Sequence, residues 1–599
     1  METMVWFGVW FSLIGTSALM AYCLGWGLLR RFAPGHPLSR AAGKIASLPA
    51  GFWAALGVAA FLLPVFALWA SAQSYGNTLA GYLPWADATE YYACAQRHLL
   101  GVSHSQCTKR PYYAAFFAGI LWLTGNKYQL ALLLQAAVLG GAVFMFARGL
   151  ARDAGGPGAL AAYAVLFLYA AIFCAGAAMT ENAGLLLGVL ALTLAWRSAG
   201  SPHIVLLCFA ILLMAAAQNA RPGAMFVLPA FIAWMFFHIG GTFRARAALA
   251  LSGVAAAAIG IAITSAPAYI AGGIPGEAHS NFSYSLYGLA AGGKGWLYVT
   301  IERPEIFSQK LEGVSQTDRV YRAAIESILN RPHLFALGYI KGIASYFDDL
   351  FRFAQEFLLL RLAGFYLPWV FGVFTAIQRW REPRYSLLLW LQAGVLVSSP
   401  FVIFDGGSRI FAATVALDAL FVGLGVMRIF ALAPQMARGG SMPAGWRTVT
   451  AFGAACLALP VAILFLLHGR APALAYAPPN CKNGLIPVVV RPGASTLSLP
   501  LVKPGAESIY PLRVRADRFA ANMDKTVHSK NELRRAPGTT LLWGIRLDAG
   551  NLGDSIRFAW RGEDLPSGQV VGFCVEPSGP GKRIGTATSI HHDVSRAGT

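Results

Sequence analysis

"LPAGFWAALGVAAFLLPVFALWAS", residues 48–71, decides the class of molecule. The run carries no charge and exceeds the roughly 20 apolar residues that a helix needs to cross a bilayer. Directly after it the chain turns polar, in "AQSYGNTLAGYLPWADATEYYACAQRHLLG" at 72–101. Comparable apolar runs lie at 4–28, 127–147, 157–177, 181–196, 203–218, 223–238, 247–271, 355–378, 385–402, 409–432 and 447–467, so about twelve transmembrane helices are expected. Composition agrees: 56% of the 599 residues are hydrophobic and 12% charged, about half the charge of a soluble domain. The first run, "MVWFGVWFSLIGTSALMAYCLGWGLL", is too long for a signal-peptide core and lacks a following small-residue cleavage site, so it reads as a retained helix. The fold class is an α-helical polytopic membrane protein with a C-terminal β-rich domain.

The formal charge of +20 does not point to nucleic acid. The basic residues crowd short loops between apolar runs: "LRRFAPGHPLSRAAGK", "ARGLARDAGG", "WRSAGSPH", "GGTFRARAA", "QRWREPR" and "QMARGGSMPAGWR". The positive-inside rule puts all six in the cytoplasm. The N-terminus, the loops 72–126 and 272–354, the turn 404–409 and everything after 468 then lie outside. Residues 1–468 form the membrane domain. Residues 469–599 hold "GLIPVVV", "LWGIRLDA", "SIRFAW" and "GQVVGFCV" between Pro/Gly turns, which predicts short strands, with a sandwich as one arrangement. Cys94 and Cys107 share one outer loop, and Cys481 and Cys574 share the tail. Two disulfides on the oxidising side are expected, free small cysteines being the alternative.

Loop 72–126 holds more chemistry than a connector needs. Asp87 follows the second helix, and Glu90, Tyr91 and Tyr92 come next. Lys109 and Arg110 then open "TKRPYYAAFFAGILWLTGNKYQLALLLQ". The run 112–124 is too short to span, and is expected to lie in the interface with Tyr112, Tyr113 and Trp122 at headgroup depth. A carboxylate, a basic pair and an interfacial helix suit an amphiphilic substrate with an anionic head. The second outer loop adds "NFSYSLYGLAAGGKGW" at 281–296. Its glycines allow close backbone approach, Lys294 adds a cation, and Tyr284, Tyr287 and Trp296 add surfaces for a sugar or a lipid. Each residue has a plainer alternative: a helix cap or solvated carboxylate for Asp87 and Glu90, a lipid anchor for Arg110, a helix-dipole partner for Glu181, snorkelling for Arg221, solvation for Lys294 and for Asp348 and Asp349, and mutual pairing for Asp405 and Arg409. The sequence "SIHHDVS" is not read as a metal site.

An Asp just after a transmembrane helix, followed by a basic residue, proline and a Tyr-rich helix, resembles the GT-C superfamily of membrane glycosyltransferases, in the style of the protein O-mannosyltransferases and the lipid A aminoarabinose transferases. "AAMTENAGLLLGVLALTLAW", "AQNARPGAMFVLPAFIAWMF" and "SSPFVIFDGGSRIFAATVAL" resemble that family's acidic helix start, basic-proline turn and late Arg-bearing turn. The resemblance covers roughly residues 48–430 and excludes the first helix and the tail. It implies a GT-C-like catalytic domain and an inverting hexosyl- or pentosyltransferase of a bacterial inner membrane. The donor would be a polyprenyl-phosphate sugar, and the acceptor an envelope glycan or glycolipid at the periplasmic face. Asp87 would be the base, with Glu90 orienting it or merely solvated. Arg110, Arg221 and Arg409 would hold the growing charge on the phosphate. Glu181, Lys294 and Tyr287 would complete the substrate site, with loop 272–354 covering the donor. No cofactor is called for; a divalent metal on Asp87, Glu90 and Glu181 is the disfavoured alternative. The rival reading is a transporter or flippase of a polyprenyl-linked or glycolipid substrate. Such proteins carry charges on broken helices near the midplane, whereas here charges collect at outer helix ends. A non-catalytic lipid-binding scaffold is a third possibility.

Overall fold

The computed structural model describes residues 50–71, most of 77–100, 105–201, 203–270, 280–308, 315–355, 358–429, 446–470 and short segments between 481 and 591. The expected helix at 4–28 and much of 469–599 lie outside the described residues. Helices dominate: α1 Ala50–Ser71, α2 Asp87–Leu100, α3 Pro111–Leu123, α4 Tyr128–Phe173, α5 Thr180–Ala199, α6 Ile204–Ala220, α7 Val227–His238, α8 Phe243–Ile270, α9 Ser280–Ala290, α10 Gln316–Asn330, α11 Pro332–Asp349, α12 Leu367–Gln378, α13 Pro383–Gly406, α14 Val415–Ile429 and α15 Trp446–Arg470. Among the described residues, eight spans are long and apolar enough to cross a membrane. The protein is thus a membrane-embedded helical bundle.

Glycine shapes this bundle at two kinds of place. At Gly155, φ is +67°, a conformation that L side chains rarely adopt, and α4 divides there into the spans Tyr128–Asp153 and Gly155–Phe173. Elsewhere glycine lets backbones touch. A Cβ on Gly372 of α12 would strike the Phe421 carbonyl of α14, one on Gly425 would strike the Pro368 carbonyl, and one on Gly188 of α5 would strike the Ala413 carbonyl. Small residues permit such close approach between helices in lipid, where the hydrophobic effect gives no drive to associate. The spans expected at 203–218 and 223–238 are the 17-residue α6 and the 12-residue α7, both shorter than a perpendicular crossing needs.

The basic loops converge. Arg384, in the first turn of α13, pairs with Asp153 at the end of the first α4 span at 3.0 Å. Trp196, near the end of α5, donates to the same carboxylate at 2.8 Å. Three loops assigned to one side by charge therefore meet at one end of the bundle. Glu181 begins α5 and Arg409 follows α13, and these two meet at the other end.

One expectation is overturned. Helix α3 does not present one open face to the surroundings, as an amphipathic interfacial helix would. Its residues from Pro111 to Leu121 are all buried, between α2, α4, α8 and α15. The Tyr112 hydroxyl donates to the Cys456 carbonyl at 2.5 Å and the Tyr113 hydroxyl to Gln135 at 2.9 Å. The helix is apolar on every face, so burial on all sides costs less than leaving one face in water. Trp122, just beyond, stays half-exposed.

Helices α9 and α10, with the short helix Tyr298–Glu302 between them, hold a smaller core of Tyr287, Val299, Val320 and Ala324. Strand β1 (Thr78–Leu79) pairs with β2 (Leu83–Pro84) just ahead of α2. In the tail, β3 (Ile486–Val490), β4 (Thr539–Arg546), β5 (Ser555–Arg561), β6 (Val571–Pro577) and β7 (Ile584–His591) pair in the order β3-β4-β5-β7-β6, with β6 returning to β3. Both expected disulfides, Cys94–Cys107 and Cys481–Cys574, are present.

Candidate functional site

Residues far apart in sequence meet where α2 and α5 begin and α6 and α13 end. Asp87 opens α2, where a carboxylate suits the positive end of the helix dipole. The Thr89 hydroxyl donates to the Pro84 carbonyl at 3.1 Å, tying that first turn to β2. Glu181 sits in the first turn of α5 and is fully buried. Arg221 ends α6 ahead of Pro222, which stops the helix; Gln218 fixes the turn by donating to the Ala224 carbonyl at 3.2 Å. Arg409 lies in the turn after α13, where Gly407 takes φ +57°. Its backbone carbonyl accepts from the Tyr169 hydroxyl at 2.8 Å.

These four side chains form one network. Arg409 donates from Nη2 to Asp87 Oδ2 at 2.8 Å, and its Nε meets Glu181 Oε1 at 2.5 Å. Arg221 Nη2 meets the same Glu181 oxygen at 3.4 Å. Glu181 is therefore a buried counter-ion that sets two guanidiniums at once, at a depth where unpaired charge is costly. Asp87 is the solvent-facing member, 53% exposed. A side chain held by one Arg yet open to water is where a reactant can arrive.

Asp87 also borders a cleft of about 240 Å³ whose walls include Glu90, Tyr91, Lys109, Arg110, Ser280, Asn281 and the Cys94–Cys107 disulfide. Asp87, Glu90, Tyr91 and Cys94 follow a helical i, i+3, i+4, i+7 spacing, so one face of α2 forms the wall. The disulfide joins that face to the segment carrying Lys109 and Arg110. Arg110 lies within electrostatic reach of Tyr91, Arg221, Asp405 and Glu181, and burial pulls its guanidinium below the usual value. Burial pushes the Tyr91 phenol up, against the pull of Arg110 and Arg221. Tyr91 therefore stays a neutral donor at ordinary pH.

Of the residues predicted from sequence, the structure brings together Asp87, Glu90, Arg110, Glu181, Arg221 and Arg409. Lys294 and Tyr287 contact other residues. Lys294 lies 5.8 Å from the centre of the Tyr298 ring, and the buried Tyr287 donates to Glu302 at 2.9 Å. The neighbouring glycines serve packing: a Cβ on Gly293 would lie 3.2 Å from the Gly338 Cα, and one on Gly338 would strike the Leu289 carbonyl. The start of α9, at Ser280 and Asn281, is the part of the second outer segment that borders the cleft. Arg409 does not bridge to Asp405 across its own turn; Asp87 and Glu181 take it instead. Sequence reasoning missed Tyr91 as a wall residue, although its i+4 spacing from Asp87 is legible. Among the described residues no cluster of three or more His, Cys, Asp or Glu is arranged to hold a metal ion.

Arginines around a buried glutamate, with an open aspartate at a cleft, can bind an anion and accept a proton beside it. No family model, curated protein or solved structure matches the chain.

Proposed function

We propose that the protein is an inverting glycosyltransferase of GT-C type. It moves a sugar from a polyprenyl-phosphate donor to an envelope glycan or glycolipid. We place it in a bacterial inner membrane with the cleft on the periplasmic side. The tail 469–599, read as a β-rich domain on that side, is assigned to acceptor binding. The observation that carries the reading is the Asp87–Arg409–Glu181–Arg221 chain of contacts at the mouth of a cleft also lined by Lys109 and Arg110. The convergence of basic loops at the opposite end, and a disulfide in the cleft wall, support the sidedness.

In this reading the donor phosphate sits against the guanidiniums, which bind its oxygens in a fork. The acceptor hydroxyl attacks the anomeric carbon from the face opposite the phosphate. The bond from that carbon to the phosphate oxygen breaks, and its electron pair leaves on the phosphate. The acceptor proton passes to Asp87. A side-chain carboxylate is a weak base. That suffices where the sugar carbon is already cation-like, because the hydroxyl grows acidic as it bonds. Tyr91 adds a neutral donor on the same wall.

The test is transfer of radiolabelled sugar from a panel of polyprenyl-phosphate sugars to envelope fractions, by wild type and Asp87→Asn. Loss of a positioned base costs about 10²–10⁴ in rate. Equal turnover by the two proteins removes the proposal.

A further inference from the structure

The other end of the bundle holds a charge that the cleft does not explain. Arg197, in the last turn of α5, is 8% exposed, and among the described residues it has no hydrogen-bond or ion-pair partner. Its guanidinium lies on the backbone of α4: a Cβ on Gly149 would come within 2.8 Å of Nη2 and 2.9 Å of Nε. Glycine at 149 thus makes the seat. The charges around it are Arg148, Arg152 and Asp153. Arg148 and Arg152 are exposed. Asp153 is already engaged by Arg384 at 3.0 Å and by Trp196 at 2.8 Å.

Among the described residues, no other carboxylate at this end is left to neutralise Arg197. The six basic loops contain two acids, Asp153 and Glu382. Arg379 binds both oxygens of Glu382, at 2.6 and 2.8 Å. Segments 30–49 and 430–445 contain no Asp or Glu. The C-terminal dipole of α5 favours a cation, but it acts over a single turn and is weak beside the cost of desolvating a guanidinium. Charge balance therefore calls for an anion from outside the chain, able to meet one buried and two exposed arginines at the end of two membrane helices.

We propose that Arg148, Arg152 and Arg197 form a binding site for the phosphate of an anionic phospholipid headgroup. Phosphodiester oxygens suit the arginine fork, and the leaflet on the basic-loop side is the one rich in anionic lipid. The acyl chains would lie along the half-exposed first span of α4, Tyr128–Asp153. The site is separate from the cleft and does not depend on the transferase reading.

The test uses the full-length protein, incorporated into nanodiscs of mixed phosphatidylcholine and phosphatidylglycerol. Lipid that stays with the protein is identified by mass spectrometry after release into detergent. Wild type should retain phosphatidylglycerol over phosphatidylcholine by about 10-fold, a preference of roughly one charged contact set. Arg148→Gln/Arg152→Gln changes exposed side chains only and should abolish the preference, as should Gly149→Val by displacing the Arg197 guanidinium. Equal retention of the two lipids by wild type overturns the proposal, as does an undiminished preference in the double variant. Complete displacement of phosphatidylglycerol by inorganic phosphate would assign the site to a free anion and overturn the lipid as its occupant.

Discussion

Helices α5 and α13 carry an ionic cluster at each end, and the two clusters are built differently. At one end Glu181 is buried between Arg221 and Arg409, and Asp87 faces the cleft. At the other, Asp153 holds Arg384 and Trp196 while Arg197 is buried beside two further arginines. The first cluster alternates sign, so its guanidiniums are fixed and one carboxylate is left facing solvent. Among the described residues the second has more cations than carboxylates, so it attracts an anion, and its one carboxylate is already engaged. The first cluster sets two carboxylates against two guanidiniums, and the second sets one carboxylate against four. The difference in chemistry lies in which sign is buried.

The largest expected effect separates the clusters directly. Glu181→Gln keeps the shape of the side chain but leaves Arg221 and Arg409 without their shared counter-ion. Breaking a buried pair from one side costs about 3–5 kcal/mol. Thermal unfolding in detergent should show that loss, and sugar transfer should fall with it. Asp153→Asn is its counterpart at the other end. Arg384 and Trp196 would lose a charged acceptor, worth about 1.5–3 kcal/mol, and transfer by the folded protein should be unchanged. If Asp153→Asn abolished transfer while Glu181→Gln did not, the roles of the two ends would be reversed. Between these lies Cys94→Ser/Cys107→Ser. Opening that loop should cost about 2–4 kcal/mol and loosen α2 against Arg110, with transfer lowered more than global stability.

Much of this was legible in the sequence, and the exceptions have a common cause. The apolar runs mark the spans because lipid leaves a helix few alternatives. Basic loops marked one end, and the structure joins three of them through Asp153, Arg384 and Trp196. Asp87, Arg110, Glu181, Arg221 and Arg409 could each be recognised as a charge at a helix end. Their pairing could not, since Asp87 and Arg409 are 322 residues apart. The alternative that proximity offered, Asp405 with Arg409, loses to Glu181, whose buried carboxylate needs a cation more than a half-exposed one does. Helix α3 failed for the same reason: short length and a Tyr pair suggest an interface, and only tertiary packing shows that every face is covered. At Lys294 the glycines looked like a ligand loop. They instead allow α9 and α11 to touch, a use that spacing alone does not distinguish.

The smallest expected effect is the stability change of Asp87→Asn, and it sharpens the comparison most. Asp87 is 53% exposed and Arg409 28% exposed. Arg409 keeps Glu181 when Asp87 loses its charge. A pair so open to water contributes about 0–1 kcal/mol. The variant should therefore unfold within about 1 kcal/mol of wild type while losing transfer. A residue that contributes little to folding yet is held at a cleft by a fixed guanidinium is placed for chemistry. If Asp87→Asn were instead as destabilising as Glu181→Gln, Asp87 would be a structural counter-ion like Asp153, and the two ends of the bundle would differ in charge count alone.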